Sequence, residues 1–383
     1  MKETSPGKTL GTNLLARLIL SVALVGLAYT APSSADERNG ANHGGRGKAS
    51  VLAANSRGNN ILRYDQNVGR FLGELVAPGA GGLFHPDTMI IGPGGKLFVS
   101  SGDMLTNSAI LRFDPCTGAF AGVFVAGSGL RRPYGMAFGP DGKFYVANFL
   151  SDQILRFDAA TGSFIDVFAT GTGQPGGLNG PNSLLFGQDG ALYVSTEGSI
   201  AVDGVATFPG LPSQILKFNI RTGQSVVFAD QPPPSAEGFG FVSLLGLAFG
   251  PNCHRSARGN KLGNCDLFVS DFAGDVRRYN DEGQIVQVLS TNYTGTIPSQ
   301  NFVGGLSFGA KQRLFVAAFN NALADNPGAI LRFDGHSGVP LGAPGQLGAI
   351  FVPQSAILSR PIGILAVNPR CTAKQRAERE AER

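Results

Sequence analysis

The string ILRFD is written three times in this chain, at residues 110–114, 154–158 and 330–334, with looser copies ILRYD (61–65), ILKFN (215–219) and VRRYN (276–280). The basic residues inside them are Arg63, Arg112, Arg156, Lys217, Arg278 and Arg332, recurring every 44 to 61 residues. A period of that length marks a unit that cannot bury its apolar surface alone and buries it against copies of itself.

A second string precedes most copies. It reads GMAFGPDGKFYVAN at 135–148, with relatives at 85–101, 180–196 and 303–319; a fifth is split by an insertion between LLGLAFGP (244–251) and DLFVSD (266–271). Each unit therefore reads as four short strands: A like GMAFG, B like KFYVA, C like ILRFD and D like GSFIDVF. Glycine turns separate A from B and C from D. With 55 Gly and 23 Pro, turns are plentiful, and only the charged tail after Cys371 suggests a helix. The strands are apolar on both faces, as expected when each sheet lies between two neighbours. Four-stranded units repeated radially give an all-β, six-bladed β-propeller. The chain opens with strands B, C and D (VLAAN, ILRYD, FLGELV) and finishes with a lone strand A (RPIGILAVNP), so one blade is shared between the two ends. In strand C, third from the axis, the arginines would cover apolar surface with their stems and pair their heads locally.

The GPDGKFYVAN and ILRFDAATGSF pair resembles NHL repeats, over nearly all of residues 51–370. The resemblance implies a six- or seven-bladed ring. Distantly similar rings include gluconolactonase-like lactonases, peptidyl-hydroxyglycine lyases and streptogramin lyases, while others only bind proteins or glycans. The matching residues are strand and turn residues, so the resemblance speaks for fold and does not select a function.

The chain divides into a signal peptide (1–35), a disordered linker (36–50), the propeller (51–370) and a charged tail (371–383). Lys2, Lys8 and Arg17 precede an apolar run at 18–28, and Ser33-Ser34-Ala35 offers small residues for cleavage. The expected location is periplasmic or extracellular, with no transmembrane span after cleavage. Four cysteines in an exported chain suggest disulfides. Cys253 and Cys265 flank the insertion in an A–B turn and are expected to bridge. Cys116, in a C–D turn, and Cys371, after the last strand A, lie on one face in neighbouring blades and are expected to pair. The net charge of +4 is dispersed along the chain, so no nucleic-acid partner is expected.

The A–B and C–D turns are short and share one face. The B–C and D–A connections share the other and include the long loops 196–214, 229–243 and 290–304. Long loops on a rigid ring are where sites gather. The candidate binding residues at that channel mouth are His85, Asp87, Arg132, Tyr134, Asn148, Asn182, Glu197, Asp271, Asn320 and Arg360. Each stands just before a strand A or just after a strand B.

Histidine filters the enzyme classes. Only His85 of four lies on that face, so a three-histidine zinc site or a two-histidine lyase cannot be assembled. No G-x-S-x-G elbow is present. A gluconolactonase-like site would hold Ca2+ or another divalent cation through oxygen ligands at strand A starts. Asp87 and Asn182 match that pattern; Tyr134, Leu245, Gly304 and Ile362 do not. The reading favours a monomeric ligand- or protein-binding scaffold, its partner a protein, peptide or small molecule. A cation-dependent hydrolase is the alternative, and no catalytic residue or cofactor is assigned.

Overall fold

The computed structural model describes residues 49–251, 254–255, 262–263, 266–369 and 371. Among them, six four-stranded antiparallel sheets form a ring of blades, numbered here in chain order, each with an ILRFD-type string as its third strand. Blade 3 shows the plan: strand A is Pro133–Phe138, B is Lys143–Asn148, C is Gln153–Asp158 and D is Phe164–Thr170. Blade 1 joins the two ends of the chain. Its strand A, Pro361–Val367, pairs antiparallel with strand B, Ser50–Asn55, which is followed by C, Asn60–Asp65, and D, Phe71–Val76. The shared blade closes the ring by pairing the two ends of the chain.

Six apolar clusters fill the six spaces between neighbouring blades. Between blades 2 and 3, for example, Phe98, Ile110 and Phe124 meet Met136, Phe144 and Phe157. The B strands are buried along all or nearly all of their length, as in Leu97–Ser101 and Leu192–Thr196. The D strands are not: Phe71, Phe120, Phe164, Val226 and Val286 are exposed on the rim. The expectation of strands buried on both faces thus fails for the outermost one, which has water on one side.

Each letter of ILRFD has a separate physical task. The apolar positions enter the clusters between blades. The arginine lies across aromatic rings and pairs nearby: Arg156 reaches Asp166 at 2.7 and 2.5 Å and sits 5.1 Å from the Phe168 ring. Arg278 pairs with Asp266 and covers Phe268, and Lys217 pairs with Asp189 over Tyr193. Arg332 lies 4.1 Å from the Phe351 ring and donates to carbonyls of Asn67, Leu341 and Gly342. The terminal Asp or Asn builds the C–D turn. Its Oδ1 accepts two backbone N–H bonds, as Asp114 does from Cys116 and Thr117, and Asp158 from Ala160 and Thr161. A left-handed glycine completes that turn in every blade: Gly69, Gly118, Gly162, Gly223, Gly283 and Gly338.

Cys116 and Cys371 form a disulfide with a Cα–Cα distance of 5.8 Å across 255 residues of sequence. It fastens the segment after strand A of blade 1 to the C–D turn of blade 2. The Cys253–Cys265 pairing, the signal peptide, nearly all of the linker and the tail beyond Cys371 lie outside the described residues. Next to those cysteines, His254–Arg255 pairs with Leu262–Gly263 as a short antiparallel ribbon. Among the described residues, no helix is long and apolar enough to cross a membrane.

Candidate functional site

Strand A of each blade lines the axis, and in blades 3 to 6 its pairing to strand B is interrupted at the axial residue. Register shifts fall between Pro133 and Met136, Pro181 and Leu184, Leu244 and Leu247, and Val303 and Leu306. Such a bulge re-aims the side chain within it. The residues within the shifts are Tyr134, Asn182, Leu245 and Gly304, and Asp87 and Ile362 hold the matching places in blades 2 and 1. Neighbouring strands approach so closely here that a Cβ on Gly363 would lie 1.7 Å from the Asp87 carbonyl oxygen.

The residue two places earlier is the less expected feature. Four blades start strand A with an X-Pro pair, and X lies in the left-handed region each time: His85 (φ 43°), Arg132 (φ 54°), Gly180 (φ 63°) and Arg360 (φ 49°). For a residue with a Cβ this conformation costs about 1–2 kcal/mol. Glycine removes that cost only in blade 4, where a Cβ on Gly180 would sit 2.1 Å from Ser199 Oγ. The turn is held from the far side. The residue after strand B donates its N–H to the X carbonyl: Ser56 to Arg360, Phe149 to Arg132 and Glu197 to Gly180. Strain retained at three matching positions identifies a place where side-chain direction matters.

Those side chains face a cavity of about 230 Å³ at the mouth of the channel. Its polar lining comprises Ser56, His85, Asp87, Asp103, Arg132, Tyr134, Asn182, Glu197 and Arg360; Phe149, Phe208, Leu245, Phe272 and Ile362 form apolar walls. Asn182 Nδ2 donates to Glu197 Oε1 at 2.7 Å. His85 Nδ1 is 3.3 Å from Asp103 Oδ2, and its ring stacks on Phe84. Arg132 lies over the rings of Tyr134 (5.1 Å) and Phe149 (5.8 Å), and Arg360 over Phe319 (5.9 Å).

Burial dominates the electrostatics. It lifts the Asp87 carboxyl to about 6, against the pull of Arg132, Arg360 and the Thr88 hydroxyl. It lifts Glu197 to about 7, against the Asn182 hydrogen bond and Arg132, with Asp87 adding repulsion. The Tyr134 phenol is raised by the same cause. Burial also lowers His85; Asp103 opposes this, while Arg360, Arg132 and Arg57 reinforce it. The mouth therefore holds two carboxyls that are easily protonated near neutrality, an imidazole biased to the neutral form, and fixed guanidinium charge.

Of the ten candidate residues read from the sequence, seven meet in this cavity: His85, Asp87, Arg132, Tyr134, Asn182, Glu197 and Arg360. The other three are built into the scaffold. Asn148 bonds the Arg131 N–H, the Gly129 carbonyl and Ser151 Oγ. Asp271 is buried, accepts the Ser243 N–H and pairs with Arg277 at 2.8 Å. Asn320 accepts the Ala322 N–H in a turn. At strand ends, Asn and Asp cap backbone as readily as they face a ligand.

Residues 196–214, expected as one loop, are not wholly irregular. They contain a ribbon, Ile200–Val202 paired with Val205–Thr207, turning at Asp203-Gly204, both with positive φ. The Asp-Gly step between apolar pairs was the available signal. Asp152 pins the ribbon, its carboxylate accepting the N–H groups of Gly180 (3.0 Å) and Ala201 (2.6 Å). Ala206 and Phe208 of this segment then line the cavity.

The residues fit a divalent cation incompletely. Asp87, Asn182 and Glu197 bring oxygens to the cavity, but arginine charge acts on the Asp87 carboxyl in the place of a cation. Among the described residues there is no cluster of three or more His, Cys, Asp or Glu able to hold a metal.

No protein-family description matches the chain, and no curated protein resembles it at a significant level. Solved structures do. A chain of a nidogen/laminin complex matches with a TM-score of 0.54 at 12% identity, over 84% of this chain and 100% of that one. A Bacteroides caccae protein of unknown function matches with a TM-score of 0.53 at 14% identity, over 84% and 99%. A gluconolactonase-like protein matches with a TM-score of 0.45 at 17% identity, over 70% and 79%. At these identities the likeness is one of fold: the chain is a six-bladed propeller of four-stranded blades, a ring that serves binding proteins and enzymes alike.

Proposed function

We propose that the protein is an exported binding propeller that holds a small ligand in the cavity at its channel mouth. One observation carries this reading: polar side chains from four blades converge on one small cavity, where three non-glycine residues keep a strained backbone. The cavity has room for about eight water volumes, which suits a small molecule or the end of a chain. The disulfide supports export, since such bonds persist in oxidising compartments.

The alternative, a cation-dependent hydrolase using Asp87 and Asn182, rests on the shared presence of Asp87, Asn182 and Glu197. The guanidinium charge beside Asp87 and the three non-coordinating axial residues, Leu245, Gly304 and Ile362, weigh against it.

Ligand-observed NMR with a mixed set of neutral, cationic and anionic small molecules tests the binding reading. Hits should vanish in Ala206→Trp, which fills the mouth from the ribbon and changes no blade residue. Absence of hits, or hits unaffected by that plug, would reject it. Stabilisation by Ca2+ that is lost in Asp87→Ala and Asn182→Ala would favour the hydrolase instead.

A further inference from the structure

Within the proposed binding site, we infer that Arg132 and Arg360 form a clamp for the carboxylate of a small ligand with an apolar body. This inference rests on the binding reading above and specifies the ligand class.

Both guanidinium groups line the cavity, and both side chains are only partly exposed. Among the described residues, neither makes an ion pair or a side-chain hydrogen bond; they lie over the faces of Tyr134, Phe149 and Phe319, and they act on Asp87 by charge alone. In the ILRFD series, Arg156, Arg278, Arg332 and Arg63 each reach a carboxylate, hydroxyl or carbonyl, while Arg112 lies over the Phe124 ring. The two mouth arginines have no such acceptor and line a cavity, and a guanidinium fork half removed from water is completed best by a planar carboxylate.

Their backbone points the same way. Arg132 and Arg360 are held in left-handed X-Pro turns in blades 3 and 1, on either side of the Asp87 position in blade 2. A surface arginine with no task gives no reason to retain that strain.

The rest of the wall restricts the ligand. Asp87 and Glu197 share the cavity, so a dianion would meet extra repulsion. Phe149, Phe208, Leu245, Phe272 and Ile362 offer apolar surface to the ligand body. A monocarboxylate on an aromatic or branched body satisfies both conditions. The same chemistry occurs in a free acid and in the C-terminus of a peptide ending in an apolar residue.

The test measures binding of phenylacetate and isovalerate, their amides, succinate, inorganic phosphate, and acetyl-Ala-Ala-Phe with a free or amidated C-terminus. Wild type, Arg132→Gln, Arg360→Gln and Arg132→Lys are compared, with folding checked by circular dichroism. The monocarboxylates should bind at least about tenfold tighter than their amides, and each Gln variant should remove about that factor. Arg132→Lys should keep part of it. Tighter binding of the free acids assigns the clamp to a metabolite; tighter binding of the acid-ended peptide assigns it to a chain terminus. Amides binding as well as acids, succinate or phosphate binding best, or Gln variants matching wild type would overturn the clamp. Neutral ligands that still bind and are displaced by Ala206→Trp would sink the clamp alone. No binding by any probe would sink the binding reading with it.

Discussion

Replacing Glu197 with glutamine should stabilise the protein, and only at high pH. Burial lifts this carboxyl from 4.5 to about 7. A folded-state pKa above the unfolded one means that the native protein binds the proton more tightly. Stability from this group is therefore full below about pH 4.5 and is lost as pH rises through about 7. At ~1.4 kcal/mol per pH unit, a rise of about 2.5 makes ionised Glu197 cost the fold about 3 kcal/mol. Glutamine keeps an oxygen for the Asn182 amide at the same place and never ionises. It also removes a like charge beside Asp87, which lets that carboxyl ionise more readily. The check is calorimetric unfolding of both proteins from pH 4 to 9. The variant should match wild type, apart from a constant offset, at pH 4 and melt about 6 °C higher at pH 8 to 9, taking ~2 °C per kcal/mol for a chain of this size. A difference that does not change with pH would refute the claim that burial holds Glu197 in an unfavourable ionisation state. Stability given up at a carboxyl in a cavity is the usual sign of a working site.

Three further outcomes test the scaffold. Arg277, buried, pairs with Asp271 and Asp275 and donates to the Pro233 carbonyl beneath the loop 229–243. Arg277→Met should cost ~3–5 kcal/mol at pH 7.5, and less at pH 5, where Asp275, raised to about 6, can take a proton; equal losses in denaturant melts at both pH values would contradict this. Gly118→Ala places a Cβ 1.5 Å from the Leu75 carbonyl oxygen at φ +79°, so the variant should lose at least ~3 kcal/mol or fail to accumulate folded. Cys371→Ser should lose ~2–4 kcal/mol, less than loop length alone suggests because strand pairing in blade 1 already closes the ring, and dithiothreitol should destabilise wild type more than the variant.

The fold was legible because it is written six times. Strand C, its Asx turn and the following glycine recur with their chemistry intact, and the split ends identify the shared blade. The mouth was legible in outline, since its polar residues stand at fixed offsets from the repeat. Asn148, Asp271 and Asn320 stand at similar offsets, and residue type alone does not separate a backbone cap from a ligand contact. The left-handed backbone at His85, Arg132 and Arg360 was hidden because a proline ordinarily biases its predecessor toward extended conformations. The apolar walls were hidden as well: Leu245 and Ile362 cannot be told by residue type from the many buried leucines and isoleucines of the strands.

The account rests on the channel mouth being the place where this ring holds its ligand. A crystal structure of the protein soaked with phenylacetate tests that most directly. The account predicts the carboxylate within hydrogen-bond distance of the Arg132 or Arg360 guanidinium, with the ring against Phe149, Phe208 or Phe272. Ligand bound on the outer strands or loop tips, with the mouth left to solvent, would contradict it.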